Sequence, residues 1–121
     1  MPRNRQSAKQ AGARFERVIA DHLAEVWDDR IDRRVKTGAN DKGDIVNFRY
    51  QGDRVVIECK DYGGKIHAAQ WVREAAEEAK NDNARAGLAV VKRRGVTAPE
   101  HQYVLMELGQ LLALLGGQHD D

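Results

Sequence analysis

Asp44, Glu58 and Lys60 are the residues of this chain whose types and spacing could do chemistry. They fall in GDIVNFRYQGDRVVIECK, where one strand-like run opens on an aspartate and the next closes on Glu-Cys-Lys after a short Gln51-Gly52-Asp53 turn. Side chains alternate along a strand, so Glu58 and Lys60 share one face while Cys59 takes the other. A carboxylate and an amine therefore project together from a segment that otherwise reads Val-Val-Ile. A second carboxylate at the head of the neighbouring strand supplies half of a hard-cation site, and a lysine two residues from Glu58 can orient or deprotonate a water held there. That combination points to metal-assisted hydrolysis of a phosphodiester. Taken singly, Asp44 is a turn residue after glycine, and Glu58 with Lys60 is an ion pair on an exposed strand face. Their conjunction at the end of an apolar run favours the chemical reading.

The elements that must position these groups follow from periodicity. Ala8, Gly12, Phe15, Ile19, Leu23 and Val26 recur at helical spacing up to Trp27, which predicts an amphipathic helix over roughly 7–27. Glu16 falls inside its apolar arc. It is either a core-edge acid paired with an arginine or a third acid near a cation. Residues 31–36 read as a strand, TGANDKG as a loop, and 44–50 with 53–60 as an antiparallel hairpin. Ala68, Trp71, Val72, Ala75 and Ala79 predict a second helix from His67 to about Asn81. Gly87–Val91 is an apolar strand, which after that helix should pair in parallel with 53–60 through a right-handed crossover. Tyr103–Glu107 reads as a last strand and Gln110–Leu115 as a short closing helix. The expected fold class is α/β, a central mixed β-sheet flanked by helices.

The 121 residues are 41% hydrophobic and 32% charged, the composition of a folded chain rather than a disordered one. The length predicts a single domain over 1–121, with a loose basic arm at 1–6 and a loose tail at 117–121. No long apolar run and no signal-like segment is present, so the expected compartment is cytoplasmic, with no membrane partner. One cysteine excludes an internal disulfide, and its place in an apolar strand predicts a small buried side chain rather than a reactive thiol. The histidines, at 22, 67, 101 and 119, have no zinc spacing with it. The net charge of +1 conceals basic clusters: Arg3, Arg5, Lys9, Arg14 and Arg17, then Arg30, Arg33, Arg34 and Lys36, then Lys92, Arg93 and Arg94. Beside the carboxylate motif these read as DNA contacts rather than solvated faces.

The order Glu16, Asp44, Glu58-Cys59-Lys60 resembles the PD-(D/E)xK nuclease superfamily, and within it the archaeal-type Holliday-junction resolvases and their phage relatives. GARFERVIADHL resembles their first helix, RRVKTGANDKGDIV the loop and first metal strand, VVIECKDY the central motif, and GLAVVKRRG the strand after the second helix. Gly43 stands where the superfamily usually has proline. The resemblance implies a restriction-endonuclease-like fold and a metal-dependent DNA endonuclease. Asp44, Glu58 and the backbone carbonyl of Cys59 would bind Mg²⁺ or Mn²⁺, Lys60 would position or activate the water, and Glu16 would assist the metal. DNA contacts are expected from Arg3, Arg5, Arg14, Arg33, Arg34, Lys36, Lys42, Lys92, Arg93 and Arg94, with Thr37 and Gln70 as lesser candidates. The resemblance further implies a homodimer acting on four-way DNA junctions in a microbial cell or a phage-infected host. The same ligands would also serve a restriction- or repair-like nuclease on duplex, flap or single-stranded DNA. A non-catalytic DNA-binding protein on the same fold is the rival from another class.

Overall fold

The computed structural model describes residues 4–34 and 43–116. Helix α1 (Arg5–Val26) starts two residues earlier than periodicity suggests, because the Asn4 side chain caps it by accepting a 2.7 Å hydrogen bond from the Ser7 amide. Its buried stripe is Ala11, Phe15, Glu16, Ile19 and Ala20. The last turn departs from expectation: Val26 and Trp27 are exposed, and Trp27 instead stacks on Phe48 at 5.4 Å and donates from Nε1 to the Arg49 carbonyl.

The expected strand over 44–50 is two strands. Asn47, with φ of 68°, breaks it, and its side-chain amide donates to the Arg30 carbonyl. Before the break, β1 (Asp32–Arg33) pairs antiparallel with β2 (Ile45–Val46). After it, β3 (Arg49–Tyr50) pairs antiparallel with β4 (Asp53–Lys60). Gln51 and Gly52 close that hairpin with φ of 52° and 82°, the double left-handed turn that matches strand twist.

Helix α2 (Ala68–Asn81) carries the chain from β4 to β5 (Ala86–Val91), which lies parallel to β4 with Glu58 opposite Ala89 and Lys60 opposite Val91. The edge strand β6 (Tyr103–Leu105) is antiparallel to β5, and α3 (Leu108–Leu114) closes the described chain. The main sheet is therefore mixed, in the order β3-β4-β5-β6, within an α/β fold of the restriction-endonuclease-like kind. All six residues of β5 are buried, as are Val55 to Cys59 of β4, because helices cover both faces. Against the α1 face pack Phe15, Ile19, Ile45, Val55, Ile57, Cys59, Leu88 and Val90. On the α2 face Trp71 packs with Ala89 and Val91.

Gly87 lets α2 approach the sheet. A Cβ there would stand 2.1 Å from the Ala75 carbonyl oxygen and 3.1 Å from the Ala79 methyl. Backbone cannot yield as a flexible side chain can, so Gly87→Ala is expected to destabilise the fold by about 1–3 kcal/mol. Thermal melting followed by circular dichroism reads this directly; an unchanged melting temperature would show that α2 accommodates the methyl without cost.

Candidate active site

Three segments converge at the end of β4. Gly43, with φ of +92°, turns the chain into Asp44. Proline fixes φ near −65°, so the residue usual at this point of the motif could not adopt this backbone. A Cβ here would also meet Val56 at 3.1 Å and the Ile57 carbonyl at 3.2 Å. The backbone amide of Asp44 donates to the Ile57 carbonyl at 2.9 Å, and Asp44 Oδ2 accepts from the Cys59 amide at 2.7 Å. Asp44 is thereby laid along β4 beside Glu58, and both are buried.

Glu58 meets a residue that strand alternation alone does not reveal. Glu78, on α2, hydrogen-bonds its carboxyl, and Asp44 approaches it too. Burial first, then Glu78, then Asp44, push the Glu58 carboxyl up to about 10 from its ordinary 4.5. Lys60 points to the same face: its Nζ lies 3.3 Å from Glu74 Oε1 and 5.9 Å from the centre of the Trp71 ring. Burial disfavours its charge, but Glu58 and Glu74 outweigh that and raise its pKa. The share contributed by Glu58 falls away while that carboxyl is protonated; Glu74 supports the charge in either state. Gln70 donates to Glu74 at 3.2 Å, and this bond is the main cause of Glu74's lowered pKa.

Glu16 reaches the same cleft from α1, where Arg33 Nη2 donates to its Oε1 at 3.1 Å. Its arginine partner fits one reading of Glu16, and its place on the cleft is compatible with the other, a third acid near a cation. Experiment separates them. Glu16→Gln should slow single-turnover DNA cleavage by about 10²-fold if the acid assists the metal or its water; unchanged cleavage with only a lower melting temperature would leave the Arg33 pair as its whole role.

The cleft, about 1240 Å³, is lined by Glu16, Asp44, Glu58, Lys60, Glu74 and Glu78 and by the loops at 61–65 and 92–95. Buried acids lie within it, while Lys9, Lys65 and Arg94 are exposed where they line it. The ionised acids of this set repel an anionic phosphodiester, and a cation between them would relieve that repulsion. Among the described residues no group of three or more His, Cys, Asp or Glu side chains is arranged to hold a metal ion. The hard oxygen donors nevertheless suit a hard divalent cation, which can be held by one or two carboxylates plus waters and substrate phosphate.

The expected DNA contacts divide. Arg94 is exposed on the cleft wall. Lys92 lines the cleft but donates to the Arg93 and Val96 carbonyls, and Gln102 holds the same loop through the Arg93 amide and the Val96 and Ala98 carbonyls. Arg93 donates to the His101 carbonyl and stacks over Tyr103 at 4.6 Å. Arg34 Nε donates to the Gly43 carbonyl at 3.0 Å. Arg5 and Arg14 are exposed on α1 without lining the cleft. Arg3, Lys36, Thr37 and Lys42 lie outside the described residues. Glu74 and Glu78 are among the site-lining residues that sequence reasoning missed. Their signal is the spacing Gln70, Glu74, Glu78, an i, i+4, i+8 stripe adjoining the buried Trp71, Ala75, Ala79 stripe.

An α/β fold that brings Asp44 and Glu58-Cys59-Lys60 together at one sheet end, with Glu16 from the first helix, defines a nuclease of the PD-(D/E)xK class. Residues 7–117 match the family described as "Phage putative PDDEXK endonuclease", and the chain belongs to that family. No curated protein and no solved structure matches it. Nucleases of this class act on DNA and typically use divalent metal ions. Among the described residues no helix is long and apolar enough to cross a membrane.

Proposed function

We propose that this chain is a single-domain, Mg²⁺- or Mn²⁺-dependent endodeoxyribonuclease that cuts branched DNA, four-way junctions in particular, as a homodimer. Asp44, Glu58, Lys60 and Glu16 sharing one cleft with exposed cations beside them is the observation that carries the nuclease part. Asp44 and Glu58, with the carbonyl of Cys59, would hold the cation. When bound, it supplies charge neutralisation at the scissile phosphate and acidifies a water. Lys60, kept charged by its acidic neighbours, is better suited to orienting that water and stabilising charge on the phosphate than to taking a proton from it. Glu16 assists from the α1 side. The reaction belongs in the cytoplasm of a microbial cell or a phage-infected host, where such DNA occurs.

The homodimer is supported by an apolar face. Val104, Leu108, Leu112 and Leu115 are 52–70% exposed along β6, α3 and the residue that caps α3. Isolated exposed leucines are ordinary, but a run of them on consecutive elements marks an association surface. A two-fold pairing there would give each copy one active site for one of two opposed strands of a junction. Competition among a synthetic four-way junction, a flap and a linear duplex of equal length tests the substrate, and sedimentation tests the assembly. We expect a dimer at micromolar concentration that prefers the junction, with affinity falling steeply as salt rises. A monomer, or equal competition by the duplex, removes the junction-resolving part and leaves a nuclease of duplex or flap DNA.

A further inference from the structure

The loop from β4 to α2 carries an aromatic ring for which the chemistry above has no use. Tyr62 is 51% exposed and lines the cleft two residues after Lys60. Its ring leans on Trp71 at 5.0 Å between centroids and 46°, and His67 stands edge-on to both, at 6.1 Å from Tyr62 and 5.2 Å from Trp71. Trp71 itself is 1% exposed and lies under Lys60. Tyr62 is thus propped from behind by two rings, the nearer of them rooted in the core.

The backbone fixes the same ring. The Lys65 amide donates to the Tyr62 carbonyl at 3.2 Å around Gly63 and Gly64, whose φ of 66° and 91° are both left-handed. Gly64 is seated on the basic loop: a Cβ there would fall 2.7 Å from Arg94 Cβ. The half-exposed Tyr62 ring and the cations of Lys65 and Arg94 therefore line the same cleft beside the reacting centre. Proteins that hold unpaired nucleic acid combine these two elements, a basic groove for the backbone and an aromatic face for the base. In continuous duplex the bases are stacked inside the helix, and a ring beside the scissile phosphate meets none of their faces.

We propose that Tyr62, braced by His67 and Trp71, is a stacking platform for one unpaired nucleobase next to the cleaved phosphate, so that the substrate class is DNA with a nucleotide unstacked at that position, at the branch point of a junction or in a flap. This rests on the nuclease reading of the same cleft. The platform fixes which nucleotide is presented to Lys60, and it makes a continuous duplex the poor substrate.

The experiment uses oligonucleotides with 2-aminopurine either at an unpaired position of a flap or within a matched duplex. They are bound by full-length protein carrying Asp44→Asn, so that binding is read without cleavage. Fluorescence quenching is expected with the unpaired probe and not with the duplex. Adding Tyr62→Ala should remove the quenching and weaken binding of the unpaired probe about 5- to 150-fold, the range for loss of one stacked base, while duplex affinity stays constant. Tyr62→Phe, which keeps the ring and loses the hydroxyl, should quench and bind as the parent does, and it also controls for folding. Unchanged affinity and quenching in Tyr62→Ala, or equal loss on both probes, overturns the platform. Loss in Tyr62→Phe as large as in Tyr62→Ala also overturns it, because the hydroxyl rather than the ring face would then be the contact. Failure of the wild-type protein to cleave any DNA strikes the nuclease reading instead, since the quenching arm needs no cleavage.

Discussion

Asp44→Asn and Glu58→Gln are each expected to reduce DNA cleavage to the background while the protein remains folded and still binds DNA. A bound cation contributes several kcal/mol of transition-state charge stabilisation, about 10³-fold or more in rate. Each substitution replaces a carboxyl group proposed to hold the cation by an amide of the same shape. Glu58→Gln should in addition stabilise the metal-free protein at neutral and alkaline pH. In the folded chain the Glu58 carboxyl keeps its proton up to about 10, whereas the unfolded chain releases it near 4.5. The folded state thus binds more protons between these values, so this group's contribution is full below the lower value and is lost progressively as pH rises towards the upper one. The wild-type melting temperature without metal should fall over that window, and Glu58→Gln should flatten the fall. Added divalent cation should stabilise the wild type, increasingly as pH rises because cation and proton compete for the carboxylate, and should not stabilise Glu58→Gln. Calorimetry from pH 5 to about pH 9.5, with and without Mg²⁺, reads all three. A Glu58→Gln protein less stable than wild type at pH 8 without metal would mean that the carboxyl is structural.

The second large effect is that of Lys60→Ala, expected to slow single-turnover cleavage by about 10²- to 10⁴-fold with little change in DNA affinity. The ammonium is partly buried against Trp71 and Glu74, away from the exposed cations that would meet the substrate backbone first. Glu74→Ala should give a smaller loss in the same direction, and none when Lys60 is already alanine, because Glu74 would act through it. Affinity falling in parallel with rate in Lys60→Ala would instead make that residue a phosphate-binding group.

Much of this arrangement was legible because strand alternation is rigid. Once 53–60 is read as a strand, Glu58 and Lys60 must share a face and Cys59 must take the other, and Cys59 does pack among Phe15, Ile57 and Val90. The parallel pairing of β4 and β5 follows from the intervening helix in the same way. What escaped notice depends on partners that a one-dimensional pattern does not carry. Asn47 reads as an ordinary strand residue, yet its positive φ divides one expected strand into two with different partners. Glu74 and Glu78 read as the solvated side of an amphipathic helix, but they border the stripe that Gly87 draws against the sheet, and so face Lys60 and Glu58. Basic residues were the least legible, because composition does not say which donors are already engaged: Arg33 gives Nη2 to Glu16, Arg34 gives Nε to the Gly43 carbonyl, and Lys92 gives Nζ to the Arg93 and Val96 carbonyls.

The role proposed for Asp44 and Glu58, holding a divalent cation that DNA cleavage requires, carries the rest of the mechanism. Its most direct test is single-turnover incubation of end-labelled branched DNA with excess protein, comparing wild type with Asp44→Asn, in Mg²⁺, in Mn²⁺ and in excess EDTA. Cleavage by the wild type in either metal, none in EDTA, and none by Asp44→Asn in any condition is the predicted result. Undiminished cleavage in EDTA, or by Asp44→Asn in Mg²⁺, would contradict it.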